Sequence, residues 1–429
     1  MIMTMVDICK ITGGSYIPPT QGTPPVVRGI TAELDRVREG YLFCSIQTER
    51  FAAQKEMLLA KLRGAVLVLG EVPPYQNNMP YIQVSAIVPA VQALAEAYRA
   101  TLRTRVIGIT GSTGKTTTKE LLTSILSQRY RVSKSEENMN NRLGLPMSVL
   151  NIGEGDDFSV LEMGISEFGN MDVLCRIARP DIGVILNIGE AHWEGLGSYA
   201  GVFREKTKLI SCLPPDGAGF LNADDEWLKT FTDEGRRKIF FFKSREYGGR
   251  LPFLGEHFRL NASAAAAVAA YLGLTKEEIA AGIEKTEPVS GRCFIEHTQK
   301  LTLIEDHYNA APLSMKAALE LLSGMTTGKT AILGDMLELG ERSEELHTQL
   351  GSYAASMSID RMIFIGPLAE SMYREVKKAG GKELHYYKTV EDLLRSGEQL
   401  ARKGDTVLLK ASRAMHFERL VPFLKSLDR

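Results

Sequence analysis

The chain has 429 residues, 44% hydrophobic and 24% charged, with 51 basic side chains against 52 acidic ones. Such a length exceeds what one hydrophobic core supports and predicts about two to four domains. A net charge of −1 excludes a bulk field that recruits nucleic acid or an anionic membrane surface. The stretch Met1 to Gly14 contains Asp7 and Lys10 and no long apolar run, which argues against a signal peptide. The most apolar window, Ala262 to Leu274, is too short to span a bilayer and predicts a buried alanine-rich helix, so no membrane insertion is expected. The five cysteines (Cys9, Cys44, Cys175, Cys212 and Cys293) are odd in number and scattered, without a C-x-x-C pair. Neither a disulfide framework nor a zinc site is expected, and the expected compartment is the reducing cytoplasm.

Residues 1–103 read as a first α/β unit. Strands are predicted at Tyr41 to Ile46, Ala65 to Leu69 and Tyr81 to Val84, and helices at Phe51 to Leu62 and Val88 to Leu102. The Pro/Gly-rich segment Gly13 to Pro25 reads as a loop, and the basic stretch Arg99 to Arg105 as a junction.

Residues 104–290 form the second unit, opened by an apolar strand from Arg105 to Ile109. The glycine-rich turn Gly111-Ser112-Thr113-Gly114-Lys115-Thr116-Thr117 follows, then a helical pattern to Leu126. In such a turn the backbone N–H groups converge on phosphate oxygens, and the helix N-terminus adds partial positive charge. Lys115 would neutralise the outer phosphates of ATP, and the Thr116 hydroxyl would sit on Mg²⁺. The spacing is not the strict phosphate-loop one: Ile109 stands where a first glycine is usual, with Gly108 and Gly111 on either side.

Two further apolar runs, Ser159 to Gly164 and Ile182 to Ile188, end in polar residues, as buried parallel strands do when their C-terminal ends carry a site. Glu162 closes one and His192 follows the other. Beside a phosphate loop, a carboxylate and an imidazole suit a second Mg²⁺; alone, they read as a cap and a structural histidine. Residues 291–429 repeat the alternation, with strands at Leu301 to Glu305, Thr330 to Leu333, Met362 to Ile365 and Thr406 to Lys410. No internal repeat or low-complexity tract is evident.

Asn187-Ile188-Gly189-Glu190-Ala191-His192 and Arg204-Glu205-Lys206-Thr207-Lys208 resemble motifs of the Mur ligases, ATP-dependent amide-bond-forming enzymes of peptidoglycan synthesis. The resemblance continues through Gly255-Glu256-His257, Asn261-Ala262 and Gly291-Arg292. It then runs through Asp306-His307-Tyr308-Asn309-Ala310-Ala311-Pro312, Gly334-Asp335-Met336-Leu337-Glu338-Leu339-Gly340 and Lys410-Ala411-Ser412-Arg413. Within the family these stretches look most like the branch that adds D-alanyl-D-alanine to a UDP-muramoyl tripeptide; a folate-type polyglutamate ligase shares the general plan. The resemblance implies a three-domain α/β architecture: a substrate domain, a central phosphate-loop ATPase domain with a parallel sheet, and a C-terminal Rossmann-like domain that receives the amine. It also implies a monomer that takes two small-molecule substrates, a carboxylate donor and an amino acid or dipeptide amine.

Site roles follow from the same resemblance. Lys206 matches the family's carbamylated lysine, an anion able to help Glu162 and His192 hold Mg²⁺; on its own it reads as a solvated helix lysine. His257 and Asn261 would frame the adenine, although Asn261 also reads as a helix N-cap. Arg292 would reach from the third domain to the γ-phosphate, where a planar guanidinium fits phosphate geometry. Asp306 would meet the ATP from the same side. Asn138 and Asn141 match an asparagine cluster of the acceptor cleft. Tyr308 and Asn309 would line the substrate side, and Lys410, Ser412 and Arg413 would receive the carboxylate of the amine.

The first domain departs from the family. Its uridine-binding signature is an early Asp-Ser-Arg, then Asp-Gly-His after a Gly-Asp-Leu-Phe-type strand. Here Thr31-Ala32-Glu33-Leu34 and Ala52-Ala53-Gln54 stand in those regions, around the retained strand Gly40-Tyr41-Leu42-Phe43. Ala311 and Ala411 replace the family's Asn and Gly, and the span from Phe242 to Gly255 is short. A site built for uracil loses discrimination without its polar readers. Two ligase readings therefore stand, a cell-wall enzyme and a Mur-type ligase with a non-UDP carboxylate donor, with a non-ligating ATPase subunit as the alternative of another class.

Overall fold

A computed structural model describes residues 3–19, 25–47, 49–73, 75, 78–136, 139–233, 235, 237–380, 382–396 and 400–426. Three sheets succeed one another along the chain, each with helices on its faces. The first has five strands in the order Ser15–Ile17, Tyr81–Gln83, Ala65–Gly70, Tyr41–Cys44 and Gly29–Thr31, parallel except for the antiparallel Ser15–Ile17 edge. That edge strand corrects the loop expected over Gly13 to Pro25, of which residues 20–24 lie outside the described residues. Three residues paired at an edge leave no period long enough to read. The helix Met5–Thr12 was likewise not anticipated, although Thr4 and Asp7 form a capping box and Gly13 closes the helix at φ +67°.

The central sheet has six parallel strands in the order Lys238–Phe242, Ala218–Asn222, Ile182–Ile185, Arg105–Thr110, Phe158–Glu162 and Val132–Lys134. The inner strands are buried along their length, which explains their unbroken apolar runs. Strand Arg105–Thr110 is first in sequence yet lies in the middle, flanked by strands that come later on both sides. Its C-terminal end is therefore a topological switch point, the place where a parallel sheet opens a crevice. The alanine-rich window lies in the helix His257–Tyr271, packed on the phosphate-loop helix Lys115–Leu126. From Lys243 to Glu256 the chain adds no strand, in keeping with the short span noted in the sequence.

The third sheet runs Phe294–His297, Thr302–Glu305, Thr406–Lys410, Lys329–Gly334, Arg361–Ile365 and Glu383–Tyr387, with only Phe294–His297 antiparallel. The two outer strands are partly exposed and polar, which hides them from an apolar-run search.

The junction is not a loose linker. Arg99, at the end of the helix Ile87–Arg99, is buried and donates to Ala178 O at 2.7 Å and Arg179 O at 3.1 Å. One apolar core runs from the first sheet through this helix into the central sheet. Cys175 and Cys212 form a disulfide with Cα atoms 6.3 Å apart, a pairing that the expectation of no disulfide framework did not include. The two positions are 37 residues apart on different helices, so spacing could not pair them. Among the described residues, no helix is long and apolar enough to cross a membrane.

Asp335, which ends strand Lys329–Gly334, is buried and accepts the N–H of Ala369 at 2.7 Å. Burial pushes its pKa up to about 6. A carboxyl whose folded-state pKa is raised contributes stability below its unfolded pKa and loses it as pH rises through the folded value. Asp335→Asn keeps an acceptor for Ala369 and removes the charge. Relative to wild type, the variant should gain up to about 3 kcal/mol between pH 4 and pH 7.5 in denaturant unfolding of the third domain. A relative loss over that range would mean that the charged form is the one the fold favours.

Candidate active site

The phosphate loop follows directly from its glycines. Gly111 lies at φ +156° and Gly114 at φ +84°, and a Cβ at Gly114 would meet Asn261 Oδ1 at 2.3 Å. Only glycine takes that turn against that neighbour. The Thr113 N–H donates to Asn187 Oδ1 at 2.9 Å, and the Ser112 hydroxyl accepts the Gly189 N–H at 2.8 Å. The loop is thus pinned to the Asn187–His192 segment beyond the neighbouring strand. Lys115 begins its helix and folds back to donate to Gly111 O at 2.9 Å.

Glu162 stands at the C-terminal end of the adjacent strand and is buried. The Thr116 hydroxyl donates to its Oε2 at 2.7 Å and Asn140 Nδ2 to its Oε1 at 2.8 Å. Burial by itself would raise its pKa; the charges of Lys115 and Arg292 and the Thr116 hydrogen bond hold it below the ordinary carboxylate range. Burial lowers the Lys115 pKa, with Glu162 acting against that and Arg292 adding to it. Lys206, on the helix Tyr199–Ser211, is buried. Burial first, then the neighbouring Lys115, drives its pKa well below the usual value.

These residues open on a cleft of about 900 Å³ between the central and third sheets. Ser112, Thr113, Gly114, Lys115, Thr117, Asn141 and Glu162 line one side, joined by His192, His257 and Asn261. Arg292, Asp306, Tyr308, Asn309 and Lys410 face them from the third domain. Burial lowers the His257 pKa and so favours the neutral imidazole. Asn261 lies inside the helix His257–Tyr271, whose N-cap is Glu256, so its N-cap reading is overturned. The Arg292 guanidinium stacks 3.9 Å from the Tyr308 ring centroid, and Arg413 lies on that ring at 5.7 Å.

Lys410 is buried and ion-paired with Asp306, whose Oδ1 also accepts the Cys293 N–H at 3.1 Å. Ser412 is buried and accepts the Leu337 N–H at 2.8 Å, supporting a loop. Of the expected site residues that are described, Gly111, Thr116, Lys206, Ser412 and Arg413 are not part of the cleft lining. Asn138 lies outside the described residues.

Sequence reasoning missed Asn140, which orients Glu162, and Asn187, which pins the loop, although both lie inside motifs already singled out. It also missed Asp225, which accepts the Ile188 N–H at 2.8 Å from the turn after the next strand. Glu338 escaped notice too; its Oε2 lies 2.7 Å from His192 Nδ1, and that contact holds the Glu338 carboxyl below its ordinary range. The Asn-Ala-Asp-Asp run at 222–225 is the one signal that pointed to a strand-end turn there.

Fold and site together define a phosphate-loop enzyme in which an arginine beyond the central sheet lines the same cleft as the loop. The Mur ligase middle domain matches residues 109–246, and the Mur ligase glutamate ligase domain matches residues 291–413. A UDP-N-acetylmuramoyl-tripeptide–D-alanyl-D-alanine ligase of Bacillus subtilis is 36% identical, over 97% of each chain. A crystal structure of MurF from Acinetobacter baumannii superposes with a TM-score of 0.83 at 26% identity, covering 99% of both chains. The MurF ligase of Thermotoga maritima in complex with ADP gives 0.79 at 28% identity, over 94% of this chain and 98% of that one. The chain belongs to the Mur ligase family, and it is an ATP-dependent ligase.

Proposed function

We propose that this ligase joins the amine of D-alanyl-D-alanine to the terminal carboxylate of a UDP-muramoyl tripeptide, in cytoplasmic peptidoglycan synthesis. The observation that carries this reading is the full-length match to a ligase of that name, which runs through the divergent first domain as well as the nucleotide site. Residues 1–103 take the carboxylate donor, 104–290 the ATP and 291–429 the amine, in a protein acting as a monomer.

The donor set fits Mg²⁺. Thr116 and Glu162 present two hard oxygens beside the phosphate loop, and His192 lines the same cleft. Among the described residues, no three His, Cys, Asp or Glu side chains form a metal cluster. That suits an ion which takes one or two carboxylates and completes its shell with phosphates and water. Thr116 would hold one Mg²⁺, and Glu162 and His192, helped by carbamylated Lys206, a second. Bound there, Mg²⁺ supplies charge neutralisation at the β- and γ-phosphates.

The rest of the reaction belongs to the chain's own residues. Loop N–H groups from Ser112 to Thr117 cradle the phosphates, and Lys115 and Arg292 meet the γ-phosphoryl group from two domains. The donor carboxylate attacks the γ-phosphorus, ADP leaves, and an acyl phosphate forms. The amine then attacks the acyl carbon, phosphate departs and the amine loses a proton. His257 and Asn261 frame the adenine. Asn141, Tyr308 and Asn309 border the acceptor side. Lys410 is tightly ion-paired with Asp306 and Ser412 is engaged by Leu337; Arg413, 3.8 Å from Glu418 and against the Tyr308 ring, is the cation we assign to the amine's carboxylate.

The first domain favours a second reading, a non-UDP donor. Gln54, where the family has histidine, accepts the Tyr75 N–H at 2.9 Å, and Glu33 pairs with Arg36 at 2.7 Å. Phosphate release from ATP with D-alanyl-D-alanine, with and without the UDP-muramoyl tripeptide, separates the two. Strong stimulation by the complete pair, with an amide product by mass, is the expected result. Absence of stimulation in protein that binds ATP would sink the cell-wall assignment.

A further inference from the structure

His192 and Glu338 belong to different domains, 146 residues apart, and both depart from ordinary backbone geometry. His192 has φ +60° and Glu338 φ +62°, a region that L side chains seldom occupy and that persists only where surroundings enforce it.

The surroundings of Glu338 are firm. Its loop leaves strand Lys329–Gly334 held by three hydrogen bonds: the Ala369 N–H to Asp335, the Met336 N–H to His347 Nε2 at 2.9 Å, and the Leu337 N–H to Ser412. The same loop meets the central domain at His192 and its neighbours. Glu338 O accepts the Glu194 N–H at 3.3 Å, and the Arg342 guanidinium lies 4.8 Å from the Trp193 ring centroid. Gly340, at φ +57°, leaves only 3.3 Å between a would-be Cβ and Glu194 Cα.

A carboxylate is an acceptor, so the 2.7 Å contact fixes the proton of a neutral His192 on Nδ1 and leaves the lone pair on Nε2. That is the arrangement in which a metal-ligating histidine is oriented and made more basic by an outer carboxylate. We infer that Glu338 is a positioning residue, delivered by the third domain, that makes His192 an oriented Mg²⁺ ligand only while the third domain is docked. The inference rests on the metal role given to His192 above. It also gives the unusual backbone geometry at both ends of the contact a purpose: domain docking and the second metal position are completed by one hydrogen bond.

The test uses Mn²⁺ as probe, its binding to the ADP complex of the full chain followed by electron paramagnetic resonance. Glu338→Ala should raise the Mn²⁺ Kd by about 10- to 100-fold, with ADP affinity in the absence of metal unchanged. Glu338→Gln, whose amide oxygen still accepts from Nδ1–H, should recover most of the loss. The double variant H192A/E338A should bind Mn²⁺ no worse than H192A. In the metal-free protein, ¹⁵N-histidine spectra should show the Nδ1–H tautomer of His192 in wild type and a tautomer mixture in E338A. An unchanged Kd in E338A while H192A weakens binding would overturn the positioning role alone. A full E338A loss persisting in the H192A background would place Glu338 on the metal itself and overturn it as well. If H192A leaves Mn²⁺ binding intact, the metal role of His192 falls instead.

Discussion

Arg292→Lys should lower kcat for amide formation by about 10³-fold while the KM for ATP shifts only a few-fold. The guanidinium comes from the third domain, stacks on Tyr308 at 3.9 Å, and is close enough to Lys115 and Glu162 to perturb the pKa of both. Among the described residues no carboxylate forms an ion pair with it, and its guanidinium rests on the Tyr308 ring. Two cations, Lys115 and Arg292, thus act on the carboxylate Glu162, an excess that a triphosphate would neutralise. Lysine keeps the charge but neither the fork of donors nor the stacking plane, so the loss falls on the transferring phosphoryl group rather than on ATP binding. Steady-state kinetics of the variant decide the matter. A raised KM with unchanged kcat would make Arg292 a ground-state binding residue.

Lys206→Ala should lower kcat by about 10²-fold or more, with acetate restoring part of the activity. The lysine is buried beside Lys115, and burial first, then Lys115, drives its pKa well below the usual value, toward the neutral amine. A neutral amine adds to CO₂ and releases a proton, giving a carbamate whose negative charge answers the neighbouring cations. Wild-type protein prepared in ¹³C-bicarbonate should show a carbamate carbon signal by NMR that Lys206→Ala lacks. Neither signal nor rescue would leave Lys206 a neutral packing residue of the helix Tyr199–Ser211.

Both effects depend on residues that sequence reasoning placed in the site, though for different reasons. Lys115 and Glu162 were legible because a phosphate loop and a buried parallel strand are local patterns: glycines at a turn, and an apolar run ended by a carboxylate. Lys206 and Arg292 were legible only through family motifs, since a lysine on a charged helix and an arginine after glycine have no local signature. Asn261 shows the cost of local reasoning. An asparagine near a helix start suggests a cap, yet it lies within the helix with its amide against Gly114, a contact made by the packing of two helices. Lys410 shows the same limit, because its pairing with Asp306 joins neighbouring strands of the third sheet.

By itself the sequence determined the alternation of strand and helix, the phosphate loop, the buried alanine-rich helix and the order of the family motifs. All of these depend on neighbours in the chain, through backbone geometry and the period of apolar residues. Only the tertiary structure decided that Glu338 meets His192, that Tyr308 carries Arg292, that Arg99 locks the first domain to the second, and that Cys175 finds Cys212. Each of these joins residues far apart in the chain, and their separation carries no period or turn signal. What brings them together is the burial of whole sheets and helices against one another.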